Sequence, residues 1–173
     1  MSDMRDDVQI RWIRSDEVEV YRAFRLRALS DTPEAFGDSY ALAIARPPEF
    51  WHQRVADTSA GLTSVLVVAV DAATDTWLGM TGSYIEEGAP ETSEVVSVWV
   101  APEARRRGVA RRLLEAATEW AGSRGTSRQR LWVTATNQRA QNLYLGAAFT
   151  TTGTKKPLPS NPALEELEMV RPV

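Results

Sequence analysis

The residue types best placed to do chemistry in this chain lie between Val95 and Ala110. A β-branched run through Val98 and Val100 meets a turn at Pro102. An Arg-x-x-Gly-x-Ala loop, carried by Arg105, Gly108 and Ala110, then opens straight into an amphipathic helix. A loop of this kind presents several backbone N–H groups, backed by a helix dipole, to one bound anion. Gly108 matters because a bare Cα lets the anion approach the main chain closely. Arg105, Arg106, Arg107 and Arg111 add positive potential around it. The loop reads as a seat for a pyrophosphate-bearing cofactor, held by the amides of residues 107–111.

The elements that must position this loop follow from periodicity and turn chemistry. Residues 9–13 form a short first strand. Asp16 then caps a helix, with Glu19 at the capping-box distance, and Val18, Tyr21, Phe24 and Ala28 give it one apolar face. This helix ends near Thr32, ahead of Pro33. A second helix starts at Pro47 and Pro48 and buries Phe50, Trp51 and Val55. Residues 65–70 are almost continuously apolar, the mark of a strand covered on both faces. Strands follow at 77–85, where Gly79 and Gly82 weaken the pattern, and at 94–100.

The helix over 107–121 buries Val109, Leu113, Ala117, Trp120 and Ala121 and exposes Arg111, Arg112, Glu115 and Glu119. A fifth strand covers 131–136, and Asn137 caps a helix reaching about Leu145. Residues 150–154 and 164–170 close the chain as a strand pair joined by a proline-containing loop over 157–162. The order predicts a mixed α/β layer fold whose parallel crossover runs through the 107–121 helix. A length of 173 residues suits a single domain over 1–173.

Composition removes several function classes. There is no cysteine, so thiol nucleophiles and cysteine-based zinc sites are excluded, and His52 is the only histidine. His52 reads as an amphipathic helix residue. A net charge of −3 argues against a nucleic-acid binder, and the arginine cluster reads as phosphate-directed. No apolar run has the length of a membrane span, and residues 1–14 lack a cationic start and a hydrophobic signal core. A cytoplasmic protein with no membrane partner is the plain reading.

Two motifs in order resemble the GCN5-related N-acetyltransferases (GNAT), which move an acyl group from acetyl-CoA to an amine. The first is Gln/Arg-x-x-Gly-x-Gly/Ala, matched by Arg105, Gly108 and Ala110. The second is an Asn, a helix bearing a Leu-Tyr pair, and a Gly-Phe ending. It is matched by Asn137, Leu143, Tyr144, Gly146 and Phe149, with Ala147 and Ala148 stretching the ending. The resemblance implies a mostly antiparallel central sheet flanked by helices, acetyl-CoA as cosubstrate, and, by family habit, a homodimer. It also implies that the strands at 94–100 and 131–136 splay so that the pantetheine arm enters between them. Val98, Trp99 and Val100 then contact the arm, Arg105 to Arg111 the diphosphate (through Gly108, Val109 and Ala110 among others), and Asn137 and Tyr144 the inner end. The amide near Val100 would polarise the thioester carbonyl.

With no cysteine, direct transfer in a ternary complex is the natural mechanism. Glu94 occupies the position of the catalytic glutamate in the histone-acetyltransferase branch. It stands as general base or as a solvated strand-end residue, with Glu34, Asp38 and Glu86 as alternatives. Tyr144 stands as acid to the leaving thiolate or as a core tyrosine, and Asn137 as a pantetheine contact or a helix cap. Trp99 is a candidate for lining the acceptor side, while the other tryptophans read mostly as core. The acceptor is a small-molecule amine or a peptide amine, and acidic loops at 31–38 and 86–91 favour a small cationic one. A non-catalytic CoA-sensing module and a phosphate-binding interaction domain are the alternative readings.

Overall fold

The computed structural model describes residues 7–173. Residues 1–6, the start of the segment read as lacking a leader, lie outside the described residues. Ser64–Asp71 (β2) is buried from Val65 to Val70, as its continuous apolar run predicts. Leu66, Val68 and Val70 pack under the helices Val18–Asp31 (α1) and Pro48–Ala60 (α3) through Phe24, Trp51 and Val55. Val65, Val67 and Ala69 face Val109, Leu113 and Trp120 of Val109–Ser123 (α4). Burying each such Leu or Val contributes about 1.5–3 kcal/mol, so a strand covered twice anchors both layers.

Around β2 the sheet runs in the order β1-β2-β3-β4-β5-β7-β6. The other strands are Val8–Trp12 (β1), Trp77–Glu86 (β3), Ala89–Val100 (β4), Arg128–Thr134 (β5), Thr150–Leu158 (β6) and Asn161–Pro172 (β7). Every pairing is antiparallel except β4 with β5, whose crossover is α4. The mixed, mostly antiparallel sheet and its crossover are therefore as expected. Gly79 suits this layer, because an added Cβ would lie 3.0 Å from Leu113 Cδ1.

Several local expectations are corrected. Asp16 does not cap α1, which starts at Val18 with Glu17 in the cap position and no side-chain cap bond. The Glu17 carboxylate instead accepts from Arg11 Nη2 at 2.7 Å, the Arg14 N–H at 2.8 Å and Trp77 Nε1 at 3.1 Å. That network ties β1, α1 and β3 together and outcompetes a local cap. Tyr40–Ile44 forms an additional short helix (α2), capped by Ser39 Oγ. It went unseen because five residues are too few for a periodic signal. β5 lies three residues earlier at its start than expected. β6 and β7 continue through Pro157 and Pro162: β6 is an edge strand, and Pro162 lies beyond Glu166, where the pairing of β7 with β5 ends, so one side of each is free of ladder bonds.

Candidate active site

The candidate site begins at an irregularity in β4. Met80 pairs with Trp99 and Gly82 with Val96, so Ser97 and Val98 together oppose the single residue Thr81. This is a β-bulge, and Ser97 takes the left-handed conformation at φ 58°. Parallel pairing with β5 covers only Thr92 to Glu94 against Arg128 to Arg130. Beyond Glu94 the two strands part, and their facing edges share no ladder bonds. The gap between them, about 60 Å³, is lined by Val96, Ser97, Val98, Trp132, Val133, Thr134, Asn137 and Tyr144, among others.

A larger cleft of about 370 Å³ continues from the gap toward the N-terminus of α4. Its lining includes Val98, Trp99, Val100, Arg105, Arg106, Gly108, Val109, Ala110, Arg111, Asn137, Arg139 and Tyr144. Every residue expected to contact the cofactor is thus on this wall except Arg107. Arg105, Arg106, Arg111 and Arg139 line the cleft with no acidic residue among the described lining. A protein of net charge −3 therefore carries a locally cationic groove.

The loop itself is shaped by two left-handed residues, Arg106 at φ 62° and Gly108 at φ 74°. Gly108 sits at the N-cap of α4, and the first intrahelical bond runs from Arg112 N–H to its carbonyl. The N–H groups of Val109, Ala110 and Arg111 are left at the open helix end. A Cβ on Gly108 would meet nothing within 4 Å, so the glycine keeps space open instead of fitting a neighbour. Arg105 braces the loop: its Nε donates to the Val100 carbonyl at 3.0 Å and its Nη2 to Asp31 at 2.7 Å. Its charge is largely spent on Asp31, which Trp99 Nε1 also reaches at 3.2 Å.

Asn137 caps Gln138–Gly146 (α5), accepting from the Ala140 N–H at 3.1 Å while lining both cavities. The helix ends in a Schellman turn. Ala148 takes the left-handed position at φ 67°, Phe149 N–H bonds to the Tyr144 carbonyl, and Ala148 N–H bonds to the Leu145 carbonyl. The stretched Gly-Phe ending is this turn, with alanine where glycine is usual. Phe149 folds back edge-on to Tyr144, with ring centroids 6.1 Å apart, and fixes the tyrosine at the junction of cleft and gap. Burial pushes the Tyr144 phenol well above its ordinary pKa, so it stays protonated.

Glu94 lies where the strands part, on the sheet face away from α4 and α5, and is only 8% exposed. Both Arg130 Nε (3.1 Å) and Nη2 (2.5 Å) reach its Oε2, which leaves Oε1 outside that pair. Burial, together with the neighbouring Glu94 charge, raises the Tyr84 phenol to about 12. Glu86 pairs with Arg130 at 2.9 Å. Asp38 is held by Arg46, and the Glu34 carbonyl accepts from Thr134 Oγ1. Glu166, opposite Thr134 on β7, was not singled out from the sequence. Burial raises its pKa, against the opposing pull of Lys156 3.8 Å away. Arg130 and Arg139 were also missed. Arg139 is two residues after the Asn137 cap and lines the same cleft as the Gly108 loop; the pairing of Arg130 with Glu94 requires the strand register.

Comparison with known proteins accords with this geometry. A search of curated proteins finds no match. Among solved structures, the chain is similar to a GCN5-related N-acetyltransferase from Kribbella flavida, with 25% identity, a TM-score of 0.77, and coverage of 97% of this chain and 99% of that one. It shares its fold with spermidine N-acetyltransferase from Vibrio cholerae, solved with CoA and spermine (14% identity, TM-score 0.75, 96% of each chain). It does so too with the PaiA N-acetyltransferase from Thermoplasma acidophilum, solved with coenzyme A (16% identity, TM-score 0.76, 96% of this chain and 99% of that one). The sequence pattern of the Acetyltransferase (GNAT) family matches residues 22–147, and the chain belongs to that family.

Proposed function

We propose that this protein is an acetyl-CoA-dependent N-acetyltransferase that acts on a primary amine by direct transfer in a ternary complex. The observation that carries the reading is a continuous path: an open, cationic helix end at Gly108 leads into the β4–β5 gap, with Tyr144 at the junction. The space beside Gly108 and the donors of Val109, Ala110 and Arg111 suit a diphosphate. The unpaired strand edges suit an extended arm rich in amides, docked as a peptide docks on a sheet edge. When bound, acetyl-CoA supplies the acetyl group as a thioester.

The remaining work falls to the chain's own groups. Arg106, Arg111 and Arg139 hold the anionic end by charge, while Val98, Val109 and Leu143 exclude water along the cleft. The buried Tyr144 hydroxyl keeps its proton and can donate a hydrogen bond to the sulfur anion that develops as the thiol leaves. An ammonium acceptor must first lose a proton, which at pH 7 costs roughly 4–5 kcal/mol for a lysine-like amine but only about 1 for an α-amino group. Glu94 takes that proton through water on Oε1, the oxygen that Arg130 does not engage. Arg130 keeps Oε2 in place, so the carboxylate cannot turn away from the strand opening.

Titration calorimetry with CoA, acetyl-CoA and ATP, followed by thiol release across an amine panel, tests the reading. Selective CoA binding with turnover on at least one amine is the expected result. CoA binding without turnover on any amine points to a non-catalytic CoA-binding module, and preference for ATP removes the assignment.

A further inference from the structure

Arg25 of α1 is a charged side chain with only 11% exposure, and neither the cleft nor the proton path uses it. Its Nη1 donates to Ser97 Oγ at 2.7 Å, across 72 residues of sequence. Its Nη2 lies 3.5 Å from Asp38 Oδ2, and its guanidinium stacks 4.8 Å from the centre of the Phe36 ring. One guanidinium thus touches both the bulge residue that parts β4 from β5 and the segment linking α1 to α2. That segment crosses the opening: the Glu34 carbonyl accepts from Thr134 Oγ1 on β5, and the Phe36 carbonyl from Ser160 Oγ in the β6–β7 turn. Arg46 holds the other side of Asp38, at 2.7 Å and 3.0 Å.

Placing an arginine here is costly, since burial disfavours its charged form. Arginine nevertheless suits the task, because its rigid fork serves two acceptors at fixed angles and its face stacks on a ring. Ser97 gains as well, since a serine in the left-handed region is held there by a bond from outside the strand. We propose that Arg25 is a positioning residue that couples the cofactor gap to the acceptor-side segment, setting the Ser97 bulge and the Asp38 loop in one arrangement. The inference rests on the gap being the cofactor site, as proposed above.

The test is CoA affinity by calorimetry, which needs no acceptor, alongside thermal melting. The variants are Ser97→Ala, Asp38→Asn, their double mutant, Arg25→Met and Arg25→Lys. Ser97→Ala removes one hydroxyl and leaves the fold intact even should Arg25→Met fail to fold. Coupling predicts that Ser97→Ala and Asp38→Asn each weaken CoA binding about tenfold, although Asp38 lines neither cavity. The double mutant should lose little more than either single variant, because both act through Arg25. Arg25→Lys, which keeps the charge, should recover part of the loss seen in Arg25→Met. Parent-like CoA affinity in Ser97→Ala and Asp38→Asn, with only the melting temperature lowered, overturns the proposal and leaves Arg25 as a structural ion pair. A parent protein that binds no CoA fails the functional reading instead, and the two outcomes are distinct.

Discussion

Replacing Gly108 with alanine separates what the glycine does for the fold from what it does for the ligand. At φ 74° an alanine is strained by about 1–2 kcal/mol relative to glycine. No clash adds to this, because the new Cβ meets nothing within 4 Å. The chain already carries an alanine in this conformation, Ala148 at φ 67°, so the backbone shape is attainable without glycine. For a domain of this size each kcal/mol lowers the melting temperature by about 2–4 °C, and Gly108→Ala should melt about 2–8 °C below the parent. The strain is present in both the free and the bound protein and cancels from the dissociation constant. Any loss of CoA affinity therefore reports the methyl group standing in the cleft. That loss should be at least tenfold, about 1.4 kcal/mol, and larger for Gly108→Glu, whose charge opposes the diphosphate. Calorimetry and thermal melting read the two effects separately. Both variants binding CoA as the parent does would refute the placement of the diphosphate, whatever their melting temperatures.

Three further perturbations follow from the same contacts. Tyr144→Phe should lower kcat about tenfold to hundredfold with CoA affinity nearly unchanged, because the ring keeps its packing on Phe149 while the proton donor is lost; unchanged steady-state turnover would remove the leaving-group role. Glu94→Gln should slow turnover most at low pH, where the acceptor is protonated, and a pH–rate profile parallel to the parent's would remove it as base. Glu17, whose carboxyl is drawn down to about 2 from 4.5, stabilises the fold above its unfolded pKa, and that stability is lost as pH falls from about 4.5 to 2. The full shift corresponds to about 3 kcal/mol, and screening by solvent leaves about 1–2. Glu17→Gln should therefore cost that much at pH 7 in a urea titration and almost nothing near pH 2; a pH-independent cost would contradict the ion-pair account.

The parts of the fold that could be read from residues alone are those in which one local signal dominates. The apolar run at Val65 to Val70, the amphipathic stripe of α4 and the cap at Asn137 each state their structure within a few residues. The cleft was legible for the same reason, since Arg105, Gly108 and Ala110 lie on one loop. What escaped depends on register. The pairing of Glu94 with Arg130, the placement of Glu166 beside Thr134 and the reach of Arg25 to Ser97 join residues 32 to 72 positions apart. The Asp16 cap failed because a distant tryptophan and a neighbouring strand claimed Glu17.

The features that resist local reading are concentrated around the candidate site, and there is a physical reason for it. Of the four non-glycine residues with positive φ among the described residues, Ser97 opens the gap, Arg106 shapes the cationic loop and Ala148 ends the helix that carries Tyr144. Only Asp75, in the turn before β3, stands apart. Left-handed backbone is disfavoured for each of these residue types, so propensity argues against the observed conformation at all three. Two of the three are held by bonds made far along the chain, Ser97 by Arg25 and the Arg106 loop by the brace from Arg105 to Asp31, while Ala148 is held locally by the Schellman pair. A regular β4 would pair with β5 along its whole length and close the gap. A regular approach to α4 would turn its amides away from the cleft. The site exists where the sheet is prevented from completing itself, and long-range polar contacts do the preventing.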